Sequence, residues 1–131
     1  MGARYLNPQA VFKPPGYSHV VEVTGPGRTI FVAGQVGADR DRNIPPGARA
    51  QMVLAFENLK AALAEAGAAF KDVVKINSYL VDGADMSDFR EVRDSYINTA
   101  APPASTTVFV SRLAIDGLLF EIEAVAALPP K

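Results

Sequence analysis

The sequence predicts an α+β domain in which two helices cover one face of a mixed β-sheet. Three observations predict it. The chain has 131 residues, the size of a single domain with one core. Two stretches repeat apolar residues at helical spacing, and five short stretches are rich in β-branched residues. In chain order these read β-β-α-β-α-β-β, which closes as one sheet with both helices on the same side. Residues 1–131 are then one domain.

Met1 to Gly16 is rich in proline and glycine and shows no apolar period, so it reads as an irregular arm. Ser18 to Val23 and Thr29 to Gln35 are strands separated by Thr24-Gly25-Pro26-Gly27-Arg28, a spacing that predicts a hairpin. A polar loop from Gly37 ends in Pro45-Pro46-Gly47, and a long helix follows. Its stripe is Met52, Phe56, Leu59, Leu63 and Ala66, and Gly67 closes it. Asp72 to Val81 alternates, with Val74, Ile76, Ser78 and Leu80 on one face and Lys75, Asn77 and Tyr79 on the other. The second helix runs from Ser87 to Asn98. Asp85 is its N-cap, Asp88 lies in its first turn where the helix dipole favours anions, and Phe89, Val92 and Tyr96 form its buried stripe. Pro102-Pro103 stops it. Ser105 to Ser111 and Leu118 to Ala127 are the last strands, joined through a turn at Asp116-Gly117.

A sheet with helices on one side and water on the other should alternate between apolar and polar residues. Val20-Val21, Ile30-Phe31-Val32, Val73-Val74 and Val108-Phe109-Val110 do not. Two helices can cover only one face, and large exposed apolar patches are rare on soluble monomers, so the second face calls for another copy of the chain. An obligate oligomer is expected. The plainer alternative is ordinary β propensity in a poorly alternating sheet.

Composition narrows the function classes. Apolar residues make up 49% and charged residues 21%, which is the balance of a globular domain. Thirteen basic against fourteen acidic residues give a net charge of −1, with no basic block for phosphates, so no nucleic-acid partner is expected. The absence of cysteine removes disulfides, thiolate nucleophiles and sulfur ligands, and the single histidine, His19, argues against a metal site. No apolar run suits a membrane span, the start has no signal core, and Leu6 stands where a myristoylation site needs Ser or Thr. A cytoplasmic location without membrane contact is expected.

Glu121 and Glu123 lie two apart in the last strand and project from one face, about 6.5–7 Å apart. Phe120, Ile122, Ala124 and Ala126 take the opposite face, under the helices. Carboxylates at a subunit interface would be partly desolvated, with raised pKa values suited to acid–base work. Spacing alone favours the plainer reading, that they are solvated or paired with arginine. Ser105, Thr106 and Thr107 offer hydroxyls, but a serine nucleophile needs an oriented base, and His19 sits in a different strand as a structural or surface histidine. Arg93 borders the stripe of the second helix. It is either a snorkelling surface arginine, which sequence favours, or an anion anchor at a subunit edge. The glycines at 25, 27, 34 and 37 match neither a dinucleotide fingerprint nor a P-loop.

Several of these segments together resemble a known family. They are Gly16-Tyr17-Ser18 entering a strand, Gly34-Gln35 ending the second strand, Ala55-Phe56-Glu57-Asn58-Leu59-Lys60 in the first helix, and Phe120-Glu121-Ile122-Glu123-Ala124-Val125-Ala126 in the last strand. From Gly16 to Ala127 the chain resembles the Rid family, also called YjgF or L-PSP endoribonuclease-like, whose type activity is deamination of reactive enamines and imines. The resemblance implies a chorismate mutase-like fold and a homotrimer whose sheets form a central barrel, with three clefts between subunits. Glu121 matches the family's water-positioning glutamate, and Gly34 a backbone position that lines the site. In active deaminases the strand after the second helix carries an arginine that grips the substrate carboxylate, then a cysteine two residues on. Here those positions are Ser105 and Thr107, which marks a divergent subgroup. A serine hydroxyl offers one neutral donor in place of a charged fork. Arg93 stands where many active members have asparagine, and the segment between Tyr96 and Pro103 is shorter than in type members.

The resemblance thus implies a homotrimer that binds a small metabolite in intersubunit clefts and hydrolyses an imine or related C=N species. Glu121 would position water, Gly34, Ser105, Thr107 and Arg93 would bind, and Tyr17 would form the cleft wall. No cofactor or metal is expected, because an imine carbon is already electrophilic. The alternatives are a ligand-binding or regulatory trimer without turnover and, against the acidic pI, the ribonuclease of the family's older name.

Overall fold

The sheet is built around its last strand. In the computed structural model, which describes residues 1–131, β6 (Phe120–Leu128) lies between β3 (Arg28–Val36) and β4 (Val73–Val81), antiparallel to both. β5 (Ala104–Val110) pairs parallel to β4, so the order is β3-β6-β4-β5 and the sheet is mixed. A parallel neighbour needs a crossover, and α2 (Met86–Tyr96) supplies it. The longer helix α1 (Ala48–Glu65) lies across β3 and β6 and beside α2, so both helices share one face.

The helical stripes explain that packing. Met52, Phe56, Leu59 and Leu63 of α1 and Phe89 and Val92 of α2 are buried against Ile76 and Leu80 of β4 and Phe120, Ile122, Ala124 and Ala126 of β6. Each large side chain so buried contributes roughly 1.5–3 kcal/mol. Phe120 is the hub, its ring 6.0 Å from Phe56 and 5.7 Å from Phe89. Asp85 caps α2 as expected, accepting from the backbone N–H of Ser87 at 2.7 Å and of Asp88 at 3.4 Å. Gln51 is a buried polar group with every need met. Its Nε2 donates to the carbonyls of Pro45 and Gly117, and its Oε1 accepts from the Leu119 N–H, which ties two loops to α1.

All seven predicted elements form, but the start of the chain differs from the expectation. Gly2–Leu6 is a further strand, β1, so only the proline-bearing part of the arm is irregular. It pairs antiparallel with β2 (Val20–Thr24), with Arg4 opposite Glu22 and bonded to it at 2.9 Å. The predicted β2–β3 hairpin is therefore absent. β3 is drawn to β6 because Ile30 and Val32, in register with Ala126 and Ala124, then pack on the core, and β1 satisfies the edge that β2 presents.

Two smaller differences concern β4 and α2. The β4–β6 ladder slips between Val73 and Lys75, which turns Val73 inward in place of Val74; from Ile76 to Leu80 the alternation is as expected. On α2, which ends at Tyr96, Arg93 is buried alongside Phe89 and Val92.

The mixed strands do leave apolar groups on the helix-free face. Phe31, opposite Val125, is 79% exposed, and Val108, opposite Tyr79, is 40% exposed. Phe109 lies in register with Leu80 and shares the helix side. No helix is long and apolar enough to cross a membrane.

Candidate functional site

Alternation along β6 puts Glu121 and Glu123 on the helix-free face, as their spacing predicts. Their surroundings differ. Glu123 accepts the Tyr79 hydroxyl at 2.5 Å and the Asn77 amide at 3.3 Å, whereas no group in the chain donates to the Glu121 carboxylate. Partial burial therefore pushes the Glu121 carboxyl above its usual range, with the Glu123 charge adding to the effect. Tyr79 is also pushed up, chiefly because its hydroxyl donates to Glu123, and further by desolvation. Neither glutamate pairs with an arginine.

Gly34 stands against Glu121. The β3–β6 register shifts between Val32 and Gln35, and the irregularity brings the Gly34 backbone beside the carboxylate. A Cβ there would lie 1.9 Å from Glu121 Oε2. The position is empty of side chain so that the acid can occupy it.

The remaining candidates gather on the other side of the sheet. Ser105 and Thr107 of β5 are in register with Ile76 and Ser78 of β4, so both point to the helix side. With Tyr17, Arg90 and Arg93 they line a cavity of about 210 Å³ between the N-terminal segment, α2 and β5. Ser18 holds that segment in place. Its N–H bonds the Pro103 carbonyl at 3.1 Å, its hydroxyl the Pro102 carbonyl at 2.6 Å, and it bridges to Ala104. His19 completes the anchor, with one ring nitrogen 2.8 Å from the Phe12 carbonyl and its ring edge-on to Phe12 and Tyr17, a structural role.

Arg93 is not a surface snorkeller, the reading favoured from sequence. It is 5% exposed, its Nε donates to Asp94 at 3.0 Å, and its guanidinium carbon lies 5.6 Å from the centre of the Phe89 ring. Gly16, at φ +87°, admits it, since a Cβ there would meet Arg93 Nη2 at 2.3 Å. Burial follows because the chain folds back over α2, which periodicity along the helix cannot show.

The six candidates thus form two groups. Glu121 and Gly34 lie on one face; Tyr17, Arg93, Ser105 and Thr107 lie on the other. Within one chain Ser105 is not beside Glu121. Arg90 also lines the cavity, although it is not among the residues the sequence singles out. Its signal is the three-residue spacing from Arg93, which places both on one helix face.

Comparison with known proteins gives the family. Residues 9–128 match the family model described as Endoribonuclease L-PSP. A RutC family protein of Pyrococcus abyssi is 41% identical over 117 residues, covering 87% of this chain and 88% of that protein. The 2-iminobutanoate/2-iminopropanoate deaminase of Mus musculus is 34% identical over 116 residues, covering 87% and 82%. Among solved structures, a protein of the conserved Rid family from Yersinia pestis superposes with a TM-score of 0.79 at 32% identity, over 98% of this chain and all of that one. Sequence match and fold together place the chain in the Endoribonuclease L-PSP family, the Rid or YjgF family that its motifs resemble.

Proposed function

We propose that the chain assembles as a homotrimer whose clefts hydrolyse a small imine. The observation that carries this reading is the Glu121 carboxylate seated against Gly34, partly desolvated and without a donor, on a sheet face no helix covers. The Tyr17, Arg93, Ser105 and Thr107 group faces the other way, so the two half-sites converge only where one copy's cavity meets another copy's β6. Phe31 and Val108 supply the apolar surface for that contact. The kinship to a mouse imine deaminase supports the reaction class.

Arg93 and the hydroxyls of Ser105 and Thr107 bind the substrate, with Tyr17 as the wall. Glu121, as carboxylate, takes a proton from water while the oxygen attacks the carbon of the protonated imine, whose C=N electrons move to nitrogen, giving a neutral carbinolamine. Glu121 then gives that proton to the amine, the C–N bond breaks as the carbinolamine hydroxyl returns its proton to Glu121 and from there to the departing ammonia, and ketone and ammonium leave. An enamine enters after protonation at carbon gives the imine. A raised pKa suits a group that must both take and give a proton.

The test is ammonia release from 2-iminopropanoate generated in situ. Wild type should accelerate it over the spontaneous rate, and Glu121→Gln should lose most of the gain while keeping its mass in solution. Wild type without acceleration that still binds small carboxylates would make this a non-catalytic ligand-binding trimer. Ribonuclease action is disfavoured by the net charge of −1.

A further inference from the structure

We propose that the cavity between α2 and β5 is selective for a doubly negative small ligand, a dicarboxylate or a phosphate monoester, and that Arg90 sets this selectivity beside Arg93. The inference rests on the cavity being the binding half-site described above and adds the charge class of its ligand.

Two cations line one small cavity of about 210 Å³, and none of its lining residues is acidic. Arg93 is 5% exposed and donates within the chain only through Nε, to Asp94, so both terminal nitrogens remain for a ligand. Arg90 stands one helical turn earlier, on the same face, and takes part in no ion pair. The nearby Asp85 carboxylate is committed to capping α2 through Ser87 and Asp88. Ser105 and Thr107 add hydroxyl donors from β5.

A count of donors then decides the ligand class. A carboxylate accepts about four hydrogen bonds in all. The open edge of Arg93 can make two of these to one carboxylate and the Ser105 and Thr107 hydroxyls the other two, which leaves the Arg90 fork over. A second carboxylate, or the further oxygens and second charge of a phosphate monoester, uses it. Asp94 offsets part of the Arg93 charge from the Nε edge; it is 44% exposed at the side chain and does not line the cavity. The cavity lining itself therefore carries two positive charges and no negative one.

The probes are acetate, malonate and methyl phosphate, titrated into the assembled protein at about pH 8, above the second phosphate ionisation near pH 6. Affinity is read by calorimetry and by backbone amide shifts at Tyr17, Ser105 and Thr107. Malonate or methyl phosphate should bind about three- to tenfold more tightly than acetate, and added salt should narrow the gap. Arg90→Ala, an exposed change that leaves the core intact, should remove the gap. A gap in either dianion arm supports the proposal, and the stronger arm names the headgroup. Equal affinity for all three probes, or a gap that survives Arg90→Ala, overturns it. The readout needs no turnover: equal affinities in a wild type that still hydrolyses imine defeat this inference alone, and a wild-type gap without hydrolysis defeats only the catalytic reading.

Discussion

The Glu121 carboxylate fills the volume that any side chain at position 34 would need, with Oε2 standing 1.9 Å from where a Gly34 Cβ would be. The obstructing atoms are the far end of a flexible side chain, so in Gly34→Ala the acid swings away and the backbone holds. The expected result is a folded, assembled protein whose imine hydrolysis drops by tenfold or more, since a displacement of about 1 Å can cost about a hundredfold. Gly34→Ala/Glu121→Gln should be no slower than Glu121→Gln alone, because both act on one group. Additive losses in that pair would show that Gly34 contributes separately.

Glu121 should also leave a signature in pH. Its carboxyl is raised above the ordinary 4.5, chiefly by burial, so the folded chain holds that proton more tightly than the unfolded chain. The ionised group then lowers stability as pH climbs from 4.5 through the folded pKa, and costs nothing below 4.5. Glu121→Gln should melt higher than wild type near neutral pH, and the two should converge in acid. Hydrolysis by wild type should fall as pH drops through the same raised pKa. A stability gain independent of pH in calorimetric scans would contradict this.

Assembly can be tested at Phe31. Because it is 79% exposed in a single copy, Phe31→Asp should leave each chain folded while breaking the association proposed for the helix-free face. Light scattering should give about three times the 13.9 kDa chain mass for wild type and a single chain for the variant. A wild-type mass of one chain at micromolar concentration would end the trimer reading.

Gln51 tests how the loops are held. Gln51→Leu keeps the volume but strands the Leu119 N–H and the carbonyls of Pro45 and Gly117. The expected cost is roughly 2–4 kcal/mol, read as a lower urea midpoint at unchanged slope. A midpoint within error of wild type would show that water replaces the amide.

The features legible in the amino-acid order are local and periodic. The stripe Met52, Phe56, Leu59 and Leu63, the Asp85 cap and the alternation of Phe120 through Ala126 each depend on spacing within one segment, and all stand in the structure. The placement of Glu121 and Glu123 on the helix-free face follows from the same two-residue period. Tertiary structure decided what lies between segments. β2 pairs with β1 because β3 gains more by packing Ile30 and Val32 on the core than by a hairpin. Arg93 is buried because Gly16 and the residues after it cross over α2. Gly34 meets Glu121 through a register shift, and Ser105 falls on the face away from Glu121 through the β4–β5 register. Strand order and register are set by contacts between residues far apart in the chain, whose energies no local window contains.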